Sequence, residues 1–158
     1  MKRIAWAALV LAPSTFTAGA QETWRIGALY PLTGGLALLG NENLNGARIA
    51  VDMINEKGGV LGKKVELVQG DASTPDKAQS EAERLSSLEN LQIITGTYSS
   101  GLSYAASQVV ERRGGLYWET GGIADGLTKR VLNGYFRLVF TASSNGQLSN
   151  IEVDDAHS

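Results

Sequence analysis

The stretch Trp24-Arg25-Ile26-Gly27-Ala28-Leu29-Tyr30-Pro31 decides the fold, because it predicts a short apolar strand that ends at a proline. The segment after it repeats apolar residues at spacings of three and four, which predicts a helix over residues 41–57. The predicted buried face of this helix consists of Leu44, Ala47, Val51 and Ile54. Gly58-Gly59 predicts its end. A strand followed by such a helix indicates a crossover to a parallel neighbour.

The same alternation continues along the chain. Further strands are predicted over residues 65–68, 91–95, 116–118 and 135–139. Helices are predicted after Thr74-Pro75, after Gly101 and over residues 124–132, with Thr74 as a cap and Pro75 in the first turn. Their inward residues are Ala78, Ala82, Leu85, Ala106, Val109 and Val110. This order predicts an α/β fold, a three-layer arrangement with helices on both faces of a parallel sheet.

Composition excludes several classes of protein. The chain has 158 residues, of which 43% are hydrophobic and 19% charged, with no cysteine and a net charge of −2. These values fit one globular domain and exclude a disulfide scaffold and thiolate metal sites. Without an excess of basic residues, a nucleic-acid partner is not expected. The single histidine, His157, lies at the C-terminal end, which argues against histidine catalysis and histidine metal sites.

The two ends of the chain differ from its middle. Residues 1–20 have the layout of a secretory signal peptide, with Lys2 and Arg3, an apolar run and a small-residue site at Ala18-Gly19-Ala20. We expect cleavage before Gln21. The exported protein is expected to be soluble, because no cysteine follows the apolar run to carry a lipid anchor and no other segment has the length or apolarity to cross a membrane. Residues 143–158 lack a sustained apolar period and are predicted to be a linker or tail.

Three loops are candidates for a ligand site, because ligands of parallel sheets collect at the carboxyl ends of the strands. They are residues 32–40, 98–103 and 119–123. The middle loop offers the hydroxyls of Ser99, Ser100 and Ser103 beside a helix N-terminus, which suits a carboxylate or another small anion. The alternative is that one of these serines only caps the helix. Tyr98 could stack on or shape a ligand there.

The motifs of common enzymes are missing from the sequence. Gly35 and Gly40, and likewise Gly96 and Gly101, have the spacing of a phosphate loop but lack the Lys-Ser/Thr that must follow. Asp71 is expected to close a turn, and the acids Glu81 and Glu83 do not face each other on a helix. Tyr117 and Trp118 lie in a strand, where only one of them can share a face with its neighbours. We therefore expect neither an enzyme nor a cofactor or metal site.

Three motifs carry a resemblance to a known family. They are Ile26-Gly27-Ala28-Leu29-Tyr30-Pro31-Leu32-Thr33-Gly34, then Asn45-Gly46-Ala47-Arg48 through Asn55-Glu56-Lys57-Gly58-Gly59-Val60-Leu61-Gly62, and Gly70-Asp71-Ala72-Ser73-Thr74-Pro75. With these motifs, residues 24–142 resemble the N-terminal lobe of periplasmic solute-binding proteins for branched-chain amino acids. The resemblance implies a two-lobed type I binding protein that closes over its solute and delivers it to the inner-membrane permease of an ABC uptake system.

The resemblance also implies site residues. It places Ser100, with Ser99 beside it, at the α-carboxylate of an amino acid. Tyr98, Gly121 and Ile123 are expected to line the wall of the cleft, and Gly122 is a further expected ligand-binding residue. Gly121 takes the position of a backbone carbonyl for the α-amino group, and Ile123 that of a threonine. Ile123 has no hydroxyl, which opens the alternative of a related carboxylate as solute. Leu39 stands where amino-acid binders often carry an aromatic residue.

Length is the main departure from the family, whose chains cross to a second lobe and return. Residues 136–139 resemble the first crossing strand, and the sequence ends soon after them. We therefore expect a truncated N-terminal lobe that binds solute weakly or not at all by itself. Two other readings stay open: a ligand-sensing domain of the same fold acting on a regulator or receptor, and a small flavodoxin-like or hydrolytic enzyme.

Overall fold

A five-stranded parallel sheet forms the centre of the protein, which we describe over residues 23–144 of a computed structural model. The strand order is β2-β1-β3-β4-β5. The strands are β1 (Trp24–Tyr30), β2 (Val65–Asp71), β3 (Ile93–Gly96), β4 (Leu116–Glu119) and β5 (Tyr135–Arg137). The helices are α1 (Ala37–Glu56), α2 (Pro75–Glu83), α3 (Ser100–Arg112) and α4 (Gly126–Lys129). The predicted α/β class and parallel sheet are confirmed.

Helices lie on both faces of the sheet, because successive residues of a strand point to opposite sides. Leu29 packs with α2 and α3 in the larger core, whereas its neighbours Ala28 and Tyr30 pack with Leu44 of α1 in a smaller one. All four side chains are at most 2% exposed. The larger core also holds Ala78, Ala82, Leu85, Ala106, Val109 and Val110, the inward residues expected for the second and third helices.

The first helix differs from its prediction in start and in burial. A 3₁₀ turn at Gly34–Leu36 runs directly into α1, so the helix begins at Ala37 and not near residue 41. Of the predicted buried face, Leu44 is buried, while Ala47 and Val51 are half-buried and Ile54 is 38% exposed. The reason is the position of α1, which packs on β1 and β2 at one side of the sheet, whereas α2 and α3 pack against each other.

Two of the later elements are shorter than predicted. The last strand ends at Arg137 and not at residue 139, because it is an edge strand that pairs only with β4. The last helix covers Gly126–Lys129 and not residues 124–132. The start of α2 is as predicted, with Pro75 in the first turn and the Thr74 side chain accepting a hydrogen bond from the Lys77 N–H at 3.2 Å.

One part of the sheet is uncovered. On the α1 side, where α1 covers only β1 and β2, the apolar residues of β3, β4 and β5 are between 38% and 45% exposed: Ile93, Leu116, Trp118 and Phe136. We call these four residues the open face. The rings of Trp118 and Phe136 stack on it with their centroids 5.7 Å apart.

The predicted signal peptide and most of the predicted tail lie outside the described residues. Within residues 23–144, none of the helices has the length and apolar character that a membrane span requires.

Candidate functional site

The three loops predicted from the sequence meet at the carboxyl edge of the sheet. They follow β1, β3 and β4, which are neighbours in the strand order. From β1 the chain leads outward to β2 on one side, while β3 lies on the other, so the crossovers change direction between β1 and β3. Ligands of open parallel sheets bind beside such a reversal. Two of the three candidate loops flank it directly.

Asp71 at the end of β2 secures the first loop. Its carboxylate accepts hydrogen bonds from the N–H of Leu32 at 2.9 Å and from the hydroxyl of Thr33 at 2.6 Å. Lys77 Nζ lies 3.2 Å away. Partial burial raises the pKa of Asp71, but the hydrogen bonds from Thr33, Leu32 and Lys77 outweigh it and hold the pKa below its usual value. Asp71 therefore closes a turn, as the sequence predicts.

The middle loop presents two of its three serines to the edge of the sheet. Ser99 is the N-cap residue of α3, but its side chain makes no capping hydrogen bond. The Ser100 hydroxyl accepts a hydrogen bond from the N–H of Ala124 at 3.1 Å, which joins the middle loop to the loop after β4. Ser103 is fully buried, and its hydroxyl lies 3.1 Å from the hydroxyl of Tyr135. Ser103 is thus a core residue and not part of the candidate site.

Tyr98 and Gly121 form the contact between these two loops. Tyr98 is half-buried and has a backbone φ of 89°, a conformation that few residues other than glycine adopt. A Cβ atom on Gly121 would lie 2.6 Å from the Cα of Tyr98. Only glycine permits this approach.

The remaining candidate residues lie around this contact. Gly122 is buried, and a Cβ atom added to it would lie 2.9 Å from Cδ1 of Leu127. Ile123 is 47% exposed, and Leu39 is half-buried in the first turn of α1. The carboxyl edge therefore holds all seven predicted site residues, although Leu39 belongs to the loop region after β1 and the other six to the loops after β3 and β4.

The two aromatic residues of β4, Tyr117 and Trp118, lie on opposite faces of the sheet, as the alternation of side chains along a strand predicts. Tyr117 is 1% exposed and stacks on Tyr135 with centroids 5.8 Å apart. Burial raises the pKa of the Tyr117 hydroxyl well above its usual value. Trp118 points to the open face. Neither residue contributes to the candidate site.

The carboxyl edge offers groups that can pair with a small anion. The first turn of α3 contains no acidic residue, so its unpaired N–H groups and the Ser99 and Ser100 hydroxyls can face an anion. Across residues 23–144, no cluster of acidic and histidine side chains is arranged to hold a metal ion.

Glu119, the last residue of β4, is the residue that sequence reasoning missed. The sequence pattern places it only at the start of the loop 119–123, yet its side chain is fully buried beneath the Tyr98–Gly121 contact and accepts hydrogen bonds from both loops. A signal was present, because an acid at a strand end directly before Thr120-Gly121-Gly122 has a run of backbone N–H groups within reach.

Comparison with known proteins gives a consistent result. The family model described as periplasmic binding protein matches residues 23–148. The chain is 51% identical over 113 residues to Leu/Ile/Val-binding protein homolog 7 of Brucella suis, covering 72% of this chain and 28% of that protein. It is 45% identical over 136 residues to Leu/Ile/Val-binding protein homolog 8 of Brucella abortus, covering 86% of this chain and 34% of that protein.

Solved structures show the same similarity. The branched-chain amino acid transporter substrate binding protein LivJ from Streptococcus pneumoniae, in complex with isoleucine, superposes with a TM-score of 0.73 at 30% identity. The superposition covers 76% of this chain and 34% of that one. The chain thus spans about a third or less of the length of the relatives that it matches.

Proposed function

The chain belongs to the periplasmic binding protein family, and from this premise we propose that it forms part of the solute-binding component of an ABC uptake system. The solute is a branched-chain amino acid or a related carboxylate. The named relatives are Leu/Ile/Val-binding protein homologues, and LivJ was solved with isoleucine, which supports this choice. The family consists of substrate-binding proteins of transporters and not of enzymes, in agreement with the expectation from the sequence.

One observation carries the proposal. The N-terminus of α3, with Ser99 and Ser100, and the loop after β4 lie side by side at the carboxyl edge, joined by the hydrogen bond from Ala124 to Ser100. A carboxylate placed there meets hydroxyls and unpaired N–H groups, and the backbone of Gly121 is adjacent for an ammonium group. Both charged groups of an amino acid therefore find partners within one small area.

In this proposal each site residue has a role. Ser100, supported by Ser99, holds the carboxylate, and the Gly121 carbonyl accepts from the ammonium group. Tyr98 and Gly122 form the wall of the cleft, and Leu39 and Ile123 offer apolar contacts to the side chain of the solute. Ile123 adds no hydrogen bond, so binding depends more heavily on Ser100 than it would with a threonine at position 123.

The affinity of these 158 residues alone is expected to be weak. An open edge buries only one side of a solute, whereas tight sites bury most of the ligand surface. In a two-lobed protein the second lobe supplies the opposite wall on closure. We therefore propose that this lobe determines orientation of the solute and contributes only part of the binding free energy.

The test is a titration of the isotope-labelled chain with leucine, followed by amide chemical shifts. We expect chemical shift changes at Ser100, Gly101 and Gly121. The dissociation constant should lie in the millimolar range, which corresponds to a binding free energy on the order of −4 kcal/mol. Ser100→Ala should weaken binding about tenfold through loss of one hydrogen bond to a charged group. The matched control is Ser80→Ala on the outside of α2, where the hydroxyl donates only to the Lys77 carbonyl. Tight micromolar binding would refute the weak-affinity proposal, and absence of loop shifts would refute the site.

The transport partner and the location belong to the same proposal. We propose export by the segment 1–20, a periplasmic location, and delivery to an inner-membrane permease. Permease and ATPase genes beside this gene are the expected observation. A neighbouring regulator or receptor gene without them would instead favour a sensing role for the same fold.

A further inference from the structure

Glu119 has an unusual environment for an acid. It is 0% exposed, and within residues 23–144 it is the acidic side chain that is fully buried. Lysine and arginine do not account for this burial, since no ion pair within the described residues includes Glu119. Burial of such a group is costly unless hydrogen bonds replace its water.

Backbone N–H groups supply those hydrogen bonds. Oε1 accepts from Gly121 and Gly122 at 2.7 Å each, from Thr120 at 3.1 Å and from Tyr98 at 3.3 Å, and Oε2 accepts from Thr97 at 3.3 Å. The Thr97 hydroxyl lies 3.4 Å from Oε2. The donors come from two different loops, residues 97–98 after β3 and residues 120–122 after β4.

This arrangement also determines which way the loop carbonyls point. In a trans peptide unit the N–H of one residue is antiparallel to the C=O of the residue before it. The N–H groups of Gly121 and Gly122 point inward to Glu119, so the C=O groups of Thr120 and Gly121 point away from it. Within the described residues, neither carbonyl accepts a hydrogen bond. Glu119 therefore leaves these two oxygens turned away from its carboxylate and without a hydrogen bond from residues 23–144.

We propose that Glu119 is a positioning residue, which locks the loops after β3 and β4 together and directs the Gly121 carbonyl toward the ammonium group of the solute. The proposal rests on the proposed function for the identity of the solute. It also explains why the Gly121 and Gly122 N–H groups take no part in holding the solute carboxylate: Glu119 already occupies them. That carboxylate is left to Ser100 and the N-terminus of α3.

Two substitutions of Glu119 distinguish a role in positioning the loops from a general role in folding. Glu119→Gln keeps the shape and one acceptor oxygen but places an NH₂ group against an inward N–H donor. Glu119→Ala removes every acceptor. Where the alanine variant does not fold, Glu119→Gln decides alone. The matched control is Glu111→Gln, because Glu111 also accepts backbone hydrogen bonds, from Asn133 at 2.9 Å and Gly134 at 3.0 Å, but at the opposite edge of the sheet.

The first measurement is amide hydrogen exchange of the whole chain. In Glu119→Gln we expect the amides of Tyr98, Gly121 and Gly122 to exchange about tenfold or more faster, with the amide of Ile94 in the core unchanged. Glu111→Gln should leave the three loop amides as they are. Unchanged exchange of these amides in Glu119→Gln overturns the proposal, and so does an equal acceleration at Ile94, which would indicate general destabilisation.

The second measurement compares two solutes, leucine and 4-methylpentanoate, which lacks the ammonium group. The wild-type chain should prefer leucine, and Glu119→Gln should lower that preference about fivefold or more, because the Gly121 carbonyl loses its direction. A preference that does not change overturns the proposal. If the wild-type chain binds neither solute, the proposed function fails, and hydrogen exchange then decides the role of Glu119 by itself.

Discussion

At the scale of single residues, the site depends on close approaches that only small side chains allow. The loops after β3 and β4 touch where Gly121 faces Tyr98, and a Cβ atom at Gly121 would come within 2.6 Å of the Tyr98 Cα and 2.7 Å of its carbonyl oxygen. Backbone atoms cannot rotate away as a flexible side chain can. The contact is therefore sensitive to a single added methyl group.

Gly121→Ala is expected to lower the free energy of unfolding by about 1–3 kcal/mol, the usual cost of overpacking. The control is Gly46→Ala in α1, where an added Cβ meets nothing within 4 Å. That substitution should raise the free energy of unfolding by about 0.5–1 kcal/mol, because alanine favours the helix over glycine. Urea unfolding of both variants provides the comparison, and a stabilised Gly121→Ala would contradict the close contact.

Asp71 makes stability depend on pH. Its pKa is lower in the folded protein than in the unfolded chain, so its stabilising contribution is present above pH 3.8 and is lost as the pH falls through the folded value. Asp71→Asn should therefore destabilise the protein by about 1 kcal/mol at pH 7. The difference from wild type should shrink when unfolding is measured at pH 3. A difference that grows on acidification would contradict this assignment.

At the scale of elements, one side chain connects the end of α1 to the beginning of β2. Asn55 donates to the Val65 carbonyl at 2.9 Å and accepts from the Val65 N–H at 2.8 Å. Its amide thereby replaces the backbone partner that a neighbouring strand would provide at this edge of the sheet. The helix and strand are held in register although a turn of eight residues, 57–64, separates them.

Asn55→Ala should lower the free energy of unfolding by about 1–3 kcal/mol, since both groups of Val65 lose their partner. Asn45→Ala on the same helix serves as the control, because the Asn45 side chain contacts only the exposed Arg48 at 3.0 Å. Its effect should stay within about 0.5 kcal/mol. Equal effects of the two substitutions in chemical denaturation would argue against a connecting role for Asn55.

The elements differ in how well the sequence predicts them. Strands such as β1 and the start of α2 depend on local residues, Pro31 and Thr74-Pro75, and their prediction was correct. The burial of Ile54 depends on what lies beside α1, which periodicity cannot reveal. For Glu119 the sequence shows only half of the environment, the N–H groups of residues 120–122. The contribution of Tyr98 arises only from the pairing of β3 with β4, which brings the second loop to Glu119.

At the scale of the whole molecule, the open face is the most unusual surface. Ile93, Leu116, Trp118 and Phe136 lie on three adjacent strands, so their partly exposed side chains form one continuous apolar area. Trp118 and Phe136 lie opposite each other on the paired strands β4 and β5, and their rings stack. Such areas on soluble domains are typically covered by another surface.

We expect the 158-residue chain to self-associate through the open face, with a molecular mass in sedimentation that rises with concentration. Replacing both aromatics, Trp118→Lys with Phe136→Lys, should shift the chain toward monomer, because lysine cannot be buried without cost. Leu88→Lys changes an equally apolar residue that is 81% exposed elsewhere, and it should leave the association unchanged. A wild-type chain that sediments as a monomer at all concentrations would contradict this expectation.

The pairing of β1 with β3 has a consequence for the way the chain folds. The pairs β1–β2, β3–β4 and β4–β5 each join strands that are consecutive along the chain, whereas β1–β3, with Gly27 opposite Ile94, joins strands with β2 and two helices between them. Closing a longer loop costs more chain entropy, and contacts between distant segments form slowly. We therefore expect the pairing of β1 with β3 to form later in folding than the pairs of consecutive strands.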